Sequence, residues 1–284
     1  MFGILFALVA ALAQSLQGAI NKRLLETIPS RLLLLLAYGG AAIFTSPLII
    51  YAGIPRLAAT FFIAGFSGAM LNAAATLLLW EALKRDNLSR VFPFLALAPL
   101  FSVVTALLIL HELPSHQGLF GIILIVAGLF IIERPTRTGT ARTQSHSGFL
   151  FVVLSAFLIS LNIAVDRLAI LHSSPLFYPT FFFGAALVPV LLYILIKQPA
   201  ASPRIFIPNS RSLLASSFLL AVGGILTSLA LSLTLASYVS AIKRLGVLFA
   251  ILWGAKFLKE EISVRLAAGA LLATLGAILI ALAH

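Results

Sequence analysis

Residues 87–132, NLSRVFPFLALAPLFSVVTALLILHELPSHQGLFGIILIVAGLFII, lie over residues 235–280, LASYVSAIKRLGVLFAILWGAKFLKEEISVRLAAGALLATLGAILI. The overlay pairs Glu112 with Glu260, Gly121 with Gly269 and Gly128 with Gly276. A second overlay sets LVAALAQSLQGAINKRLLE (8–26) on VVLSAFLISLNIAVDRLAI (152–170), placing Lys22 against Asp166 and Arg23 against Arg167. The chain therefore reads as an internal duplication.

Both copies are built from long apolar runs. Of the 284 residues, 61% are hydrophobic and only 10% charged, far from the usual mix of a soluble domain. Runs of about 20 apolar residues recur throughout, the length a helix needs to cross roughly 30 Å of hydrocarbon. Ten spans are expected, at 2–21, 32–51, 58–83, 91–110, 118–132, 148–170, 176–196, 213–235, 238–257 and 264–283. The fifth is short, and its helix is expected to start nearer Ser115. Residues 1–21 lack a basic leading region, and Gln14, Ser15 and Gln17 interrupt their apolar run, so they read as the first span and not as a signal peptide.

The one long polar connection, ERPTRTGTARTQSHS (133–147), falls near the midpoint. It divides a first five-helix repeat (1–133) from a second (148–284), with 134–147 as a basic linker. Five is odd, so the second copy enters the membrane in the opposite sense. The fold class is an all-α integral membrane protein with ten transmembrane helices in two inverted five-helix repeats. Inverted repeats are typical of secondary transporters, in which one part rocks against another to give alternating access.

The formal net charge of +11 would point to nucleic acid in a soluble protein. Here most cations sit in short loops between spans, where topology and anionic headgroups account for them, so no nucleic-acid partner is expected. Nearly all of them fall on the face reached after the odd-numbered spans, which by the positive-inside rule places both termini outside the cytoplasm. With no cysteine, disulfides, thiolate metal sites and thiol catalysis are excluded. There is no HExxH, no phosphate-cradling glycine loop and no metal-ligand spacing of His or carboxylates, so neither an enzyme nor a bound metal or other cofactor is expected.

Span nine carries the most unusual residues, Lys243 and Arg244, two adjacent cations about two turns inside an apolar helix. A charge at membrane depth costs several kcal/mol and is a functional hypothesis by default. The two side chains point about 100° apart, and Ser240 lies three and four residues before them, close to both. In the functional reading one cation holds a carboxylate or phosphate of a substrate. In the structural reading they form an ion pair and a side chain that snorkels to the headgroups. Asp166, at the same membrane face, is the expected partner of Lys243 or Arg244, as a static ion pair or as a gate.

Further polar groups interrupt spans one, three, six and eight: Gln14 and Gln17, Asn72, Asn162 and Ser228 are the candidates for substrate contact. Each alone also serves as interhelical glue. Pro93 and Pro99 should kink span four, whereas the repeat puts Ala241 and Val247 in their places, so span nine is expected to be straighter. The glycine pairs Gly121 with Gly128 and Gly269 with Gly276 give smooth faces for scaffolding or dimerisation, and a homodimer is a possible assembly.

Ten spans in two halves, each ending in an acidic turn and a small-residue helix (HELPSHQGLFGIILIVAGLFII and KEEISVRLAAGALLATLGAILI), resemble the EamA-type members of the drug/metabolite transporter superfamily over essentially the whole chain. The resemblance implies a multi-pass secondary transporter of the bacterial or archaeal inner membrane. Its partners would be a small-molecule metabolite and membrane lipid, and spans one, three, four, six, eight and nine would line a central cavity. It also implies cytoplasmic termini, against the charge count. The expected function is transport of a small amphiphilic metabolite with an anionic or zwitterionic group. The alternatives are flipping of a lipid-linked or lysolipid headgroup, and a non-transporting structural or channel-like protein.

Overall fold

A computed structural model describes residues 1–85, 94–133, 146–197, 206–249 and 264–283. Pro93, Glu260, most of the linker and the end of span nine lie outside the described residues, as do the side chains of Lys22, Glu81, Lys84 and Arg85.

Every regular element among the described residues is a helix: α1 (Phe2–Leu24), α2 (Ser30–Thr45), α3 (Pro47–Ala52), α4 (Ala59–Arg85), α5 (Ala98–Leu110), α6 (His116–Glu133), α7 (His146–Leu171), α8 (Tyr178–Lys197), α9 (Phe206–Leu233), α10 (Ala236–Arg244) and α11 (Val264–Leu282). In hydrocarbon a helix satisfies its own backbone, which makes it the only open-ended way to cross. Large apolar side chains face outward along the spans, among them Ile43, Ile63, Leu108, Phe120, Leu192 and Leu271. Such a surface suits lipid as its solvent.

Local chemistry sets several boundaries. Span two divides into α2 and α3 at Ser46, because Pro47 has no N–H for the Ile43 carbonyl; Ser46 Oγ donates to that carbonyl instead, at 2.8 Å. The α6 helix starts where expected, with Ser115 Oγ accepting from the Gly118 N–H at 3.1 Å as an N-cap. Among the described residues α9 already runs from Phe206, ahead of the expected residue 213.

The described chain forms two compact units, each drawing helices from both halves of the sequence. One holds α1, α2, α3, α4 through Ala73, α7 from Val165, α8 and α9. In it, Gly223 of α9 lies against Gln14 of α1, and Gly40 of α2 leaves room for Ser217, whose Oγ donates to the Leu36 carbonyl. A cluster of rings, Phe61, Phe62, Phe66 and Phe181, packs edge-on with α4 against α8, with Phe181 seated over Gly65.

The other unit holds the remainder of α4, α5, α6, α7 through Ala164, α10 and α11. Its α6 and α11 cross with glycines facing: an added Cβ would stand 2.7 Å from the Gly276 carbonyl oxygen at Gly121 and 2.5 Å from that of Gly269 at Gly128. The glycine stripes are thus used within the chain, as scaffolding. Between α5 and α7, Thr105 Oγ1 donates to the Ser160 carbonyl at 3.1 Å; Ser155 Oγ of α7 donates to the Ala75 carbonyl of α4 at 2.8 Å.

Candidate functional site

The expectation that span nine is straighter than span four does not hold over the described residues. α10 ends at Arg244, Leu245 forms a turn, and residues 246–249 are helical again. The Leu245 N–H reaches the Ile242 carbonyl at 3.0 Å, one residue short of the α-helical partner, and the Leu245 carbonyl takes the N–H groups of Leu248 (2.9 Å) and Phe249 (3.3 Å). Span four breaks in the same way. The Leu97 N–H reaches the Phe94 carbonyl at 3.2 Å, and the Leu97 carbonyl takes the N–H groups of Leu100 (3.0 Å) and Phe101 (3.1 Å). Position by position these are repeat equivalents. Proline is therefore not required for the break, since Val247 stands where the first repeat has Pro99.

The break places Lys243 and Arg244 in the last turn of a nine-residue helix whose residues from Ala236 to Ile242 are all buried. Both cations are half-buried. A helix C-terminus carries partial negative charge, so the position favours cations and lowers the cost of their depth. One turn back, Ser240 is 1% exposed, and its Oγ has no hydrogen-bond partner among the described residues.

The same compact unit supplies the start of α10. Its N-cap, Leu235, has no polar side chain, and the Ala236 N–H donates to Glu112 Oε2 at 3.2 Å. Two residues on, the Tyr238 hydroxyl accepts from the Ser115 N–H at 3.1 Å and lies 3.3 Å from Ser115 Oγ. Sequence reading took Glu112 only as part of an acidic turn and Ser115 only as the start of a helix.

In the other unit the polar residues gather around Asp166, inside α7. Tyr178 at the start of α8 donates to Asp166 Oδ1 at 2.6 Å. Tyr38 of α2 donates to Asn72 Oδ1 of α4 at 2.7 Å. Rings link these two pairs: Tyr178 packs on Phe182, Phe182 on Phe183, and Phe183 on Tyr38. Arg167 directs its guanidinium to the Leu231 carbonyl in the last turn of α9. Neither Tyr38 nor Tyr178 was singled out from the sequence. The available signal was a lone hydroxyl-bearing ring in LLLLLAYGG and another directly after SSPLF.

The remaining candidates fall as follows. Gln14 and Gln17 are half-buried on α1, Ser228 is buried on α9 with no hydrogen-bond partner for its Oγ among the described residues, and Asn162 is buried on α7. Lys243, Arg244, Ser240 and Asn162 belong to one unit; Asp166, Asn72, Gln14, Gln17 and Ser228 belong to the other. The Asp166 and Lys243 expected to pair are thus in different units, and within its own unit Asp166 accepts from Tyr178. No group of His, Asp or Glu among the described residues is arranged to hold a metal ion.

A family model described as the EamA-like transporter family matches residues 1–134 and again residues 146–282. A solved protein crystal structure is similar in fold, with a TM-score of 0.81 at 14% identity over 99% of this chain and 96% of that one. A search of curated proteins finds no match.

Proposed function

Because the chain belongs to the EamA-like transporter family and is a membrane transporter of the drug/metabolite superfamily, we propose that its cargo is a small amphiphilic metabolite carrying an anionic or zwitterionic group. The observation that carries this reading is the pair Lys243 and Arg244, held half-buried at the interruption of span nine. An ionisable residue within a membrane span is a functional hypothesis by default. A carboxylate or phosphate is the matching ligand, with Arg244 suited to two parallel hydrogen bonds and Lys243 to a point contact. Ser240 Oγ, buried one turn away and without a hydrogen-bond partner among the described residues, is a ready further contact.

Gln14, Gln17, Asn72, Asn162 and Ser228 are the proposed uncharged contacts. The cycle is alternating access without chemical change to the cargo, in the plasma membrane of a bacterium or archaeon. The repeat-matched interruptions of spans four and nine support this reading, because broken helices in equivalent places are how inverted-repeat transporters combine a binding site with motion.

The test is a thermal-shift screen of the purified chain against metabolite classes, repeated with Lys243→Ala and Arg244→Ala, followed by uptake of any hit into sealed proteoliposomes. An anionic or zwitterionic compound should stabilise the parent chain and lose that effect in at least one variant. Equal stabilisation of all three proteins would remove the cations from the binding site.

A further inference from the structure

The geometry points to Glu112 and Tyr238 as positioning residues for the cation pair, a role that rests on the proposed use of Lys243 and Arg244. α10 has only nine residues, and isolated helices of that length do not hold their shape in water or fix their own direction. Its C-terminal end is the Leu245 turn, after which residues 246–249 are helical again. Its N-terminal end has no side-chain cap of its own, because Leu235 occupies the N-cap. The missing acceptor comes from a different segment, as the Glu112 carboxylate takes the Ala236 N–H. A carboxylate there also complements the positive end of the helix dipole.

The tether is built with care at the Glu112 end. His111 closes α5 in the left-handed region, φ 54, a conformation costly for a residue with a side chain. That turn brings the Glu112 N–H back to the Ala106 carbonyl at 3.3 Å and aims the Glu112 side chain at α10. Tyr238 makes the second attachment. It is 2% exposed, and its hydroxyl meets both the N–H and the Oγ of Ser115, which in turn caps α6. Both attachments come from residues 111–115, so the α5–α6 connection holds the first turn of α10 at two points. The cations two turns further on inherit that placement.

The parent chain has no cysteine, so a nitroxide can be placed at Lys243→Cys, with a second preparation labelled at the exposed α6 position Ile123→Cys as reference. Glu112→Ala should shorten the rotational correlation time of the label at 243 by about twofold or more and leave the label at 123 unchanged, since only the half-helix gains nanosecond freedom. Glu112→Gln, which keeps a carbonyl for the Ala236 N–H, should restore the parent line shape. An unchanged label at 243, or an equal change at 123, would overturn the proposal. If Glu112→Ala does not fold, Tyr238→Phe is judged by the same two labels. No ligand is involved, so a negative result leaves the anion reading standing, and a failed ligand screen leaves the tether standing.

Discussion

Leu97 and Leu245 occupy equivalent positions in the two repeats and share one backbone conformation, φ −73, ψ −18 and φ −62, ψ −11. The hydrogen bonds around them match one for one, yet only the first repeat has a proline two residues on. The turn is therefore a property of the repeat and not of Pro99. In a structure of Pro99→Ala, the Leu97 N–H should still bond to the Phe94 carbonyl, with α5 starting where it does now. A continuous helix through residue 97 would assign the break to the proline ring.

The glycines of α6 and α11 separate two effects of the same substitution. At Gly128 an added Cβ would stand 2.5 Å from a backbone oxygen and 2.8 Å from the Ala273 nitrogen, which no side-chain rotation relieves. Gly128→Ala should destabilise by about 1–3 kcal/mol as the helices are forced apart. At Gly184, inside α8, nothing lies within 4 Å of the added atom. Gly184→Ala should be neutral or stabilise by up to about 1 kcal/mol through helix propensity. Unfolding of both variants in the same detergent checks the sign, and a stabilised Gly128→Ala would refute the interlock.

The Tyr178 hydroxyl bonded to Asp166 joins the start of α8 to the end of α7. Hydrogen bonds to a charged acceptor contribute about 1.5–3 kcal/mol, and Tyr178→Phe should lose an amount of that order. Tyr38→Phe removes a bond between neutral groups, to Asn72, and should cost less, about 0.5–1.5 kcal/mol. The shared path of rings through Phe182 and Phe183 couples the two sites, so the double variant should depart from additivity by about 0.5 kcal/mol or more. Unfolding measurements on the two single variants and the double variant close the cycle. Strict additivity would mean that the pairs act independently.

Much of the fold was legible in the sequence because hydrocarbon leaves the chain few choices. Ten apolar runs, the repeat overlays and the start of α6 at Ser115 all follow from composition, spacing and one capping side chain. The interruption at Leu245 was not legible, since an apolar run says where a helix is stable in lipid and not where its hydrogen bonds change register. Reading the proline as the cause in span four hid the same turn in span nine. The site was legible only as residue types: two cations and a carboxylate stood out by their cost at depth. Tyr38 and Tyr178 did not, because a tyrosine scarcely disturbs an apolar window. The target of Glu112 depends on a contact more than 120 residues away, at Ala236, that no local pattern encodes.

Gly118 and Tyr238 give the sharpest steric test of the α10 attachment. A Cβ at position 118 would fall 1.9 Å from the Tyr238 hydroxyl oxygen and 2.4 Å from Cζ, so Gly118→Ala cannot coexist with the ring where it now lies. The substitution should expel the ring, break the bonds to Ser115 and destabilise by about 1–3 kcal/mol, as overpacking does. Tyr238→Ala alone should cost about 3–5 kcal/mol as a large-to-small change at a fully buried ring. Once the ring is gone the added methyl has nothing to strike, so the double variant should be no less stable than Tyr238→Ala alone. The test is the unfolding free energy of the three variants. A double variant destabilised by the full sum would show that Gly118 is needed for some reason other than room for Tyr238.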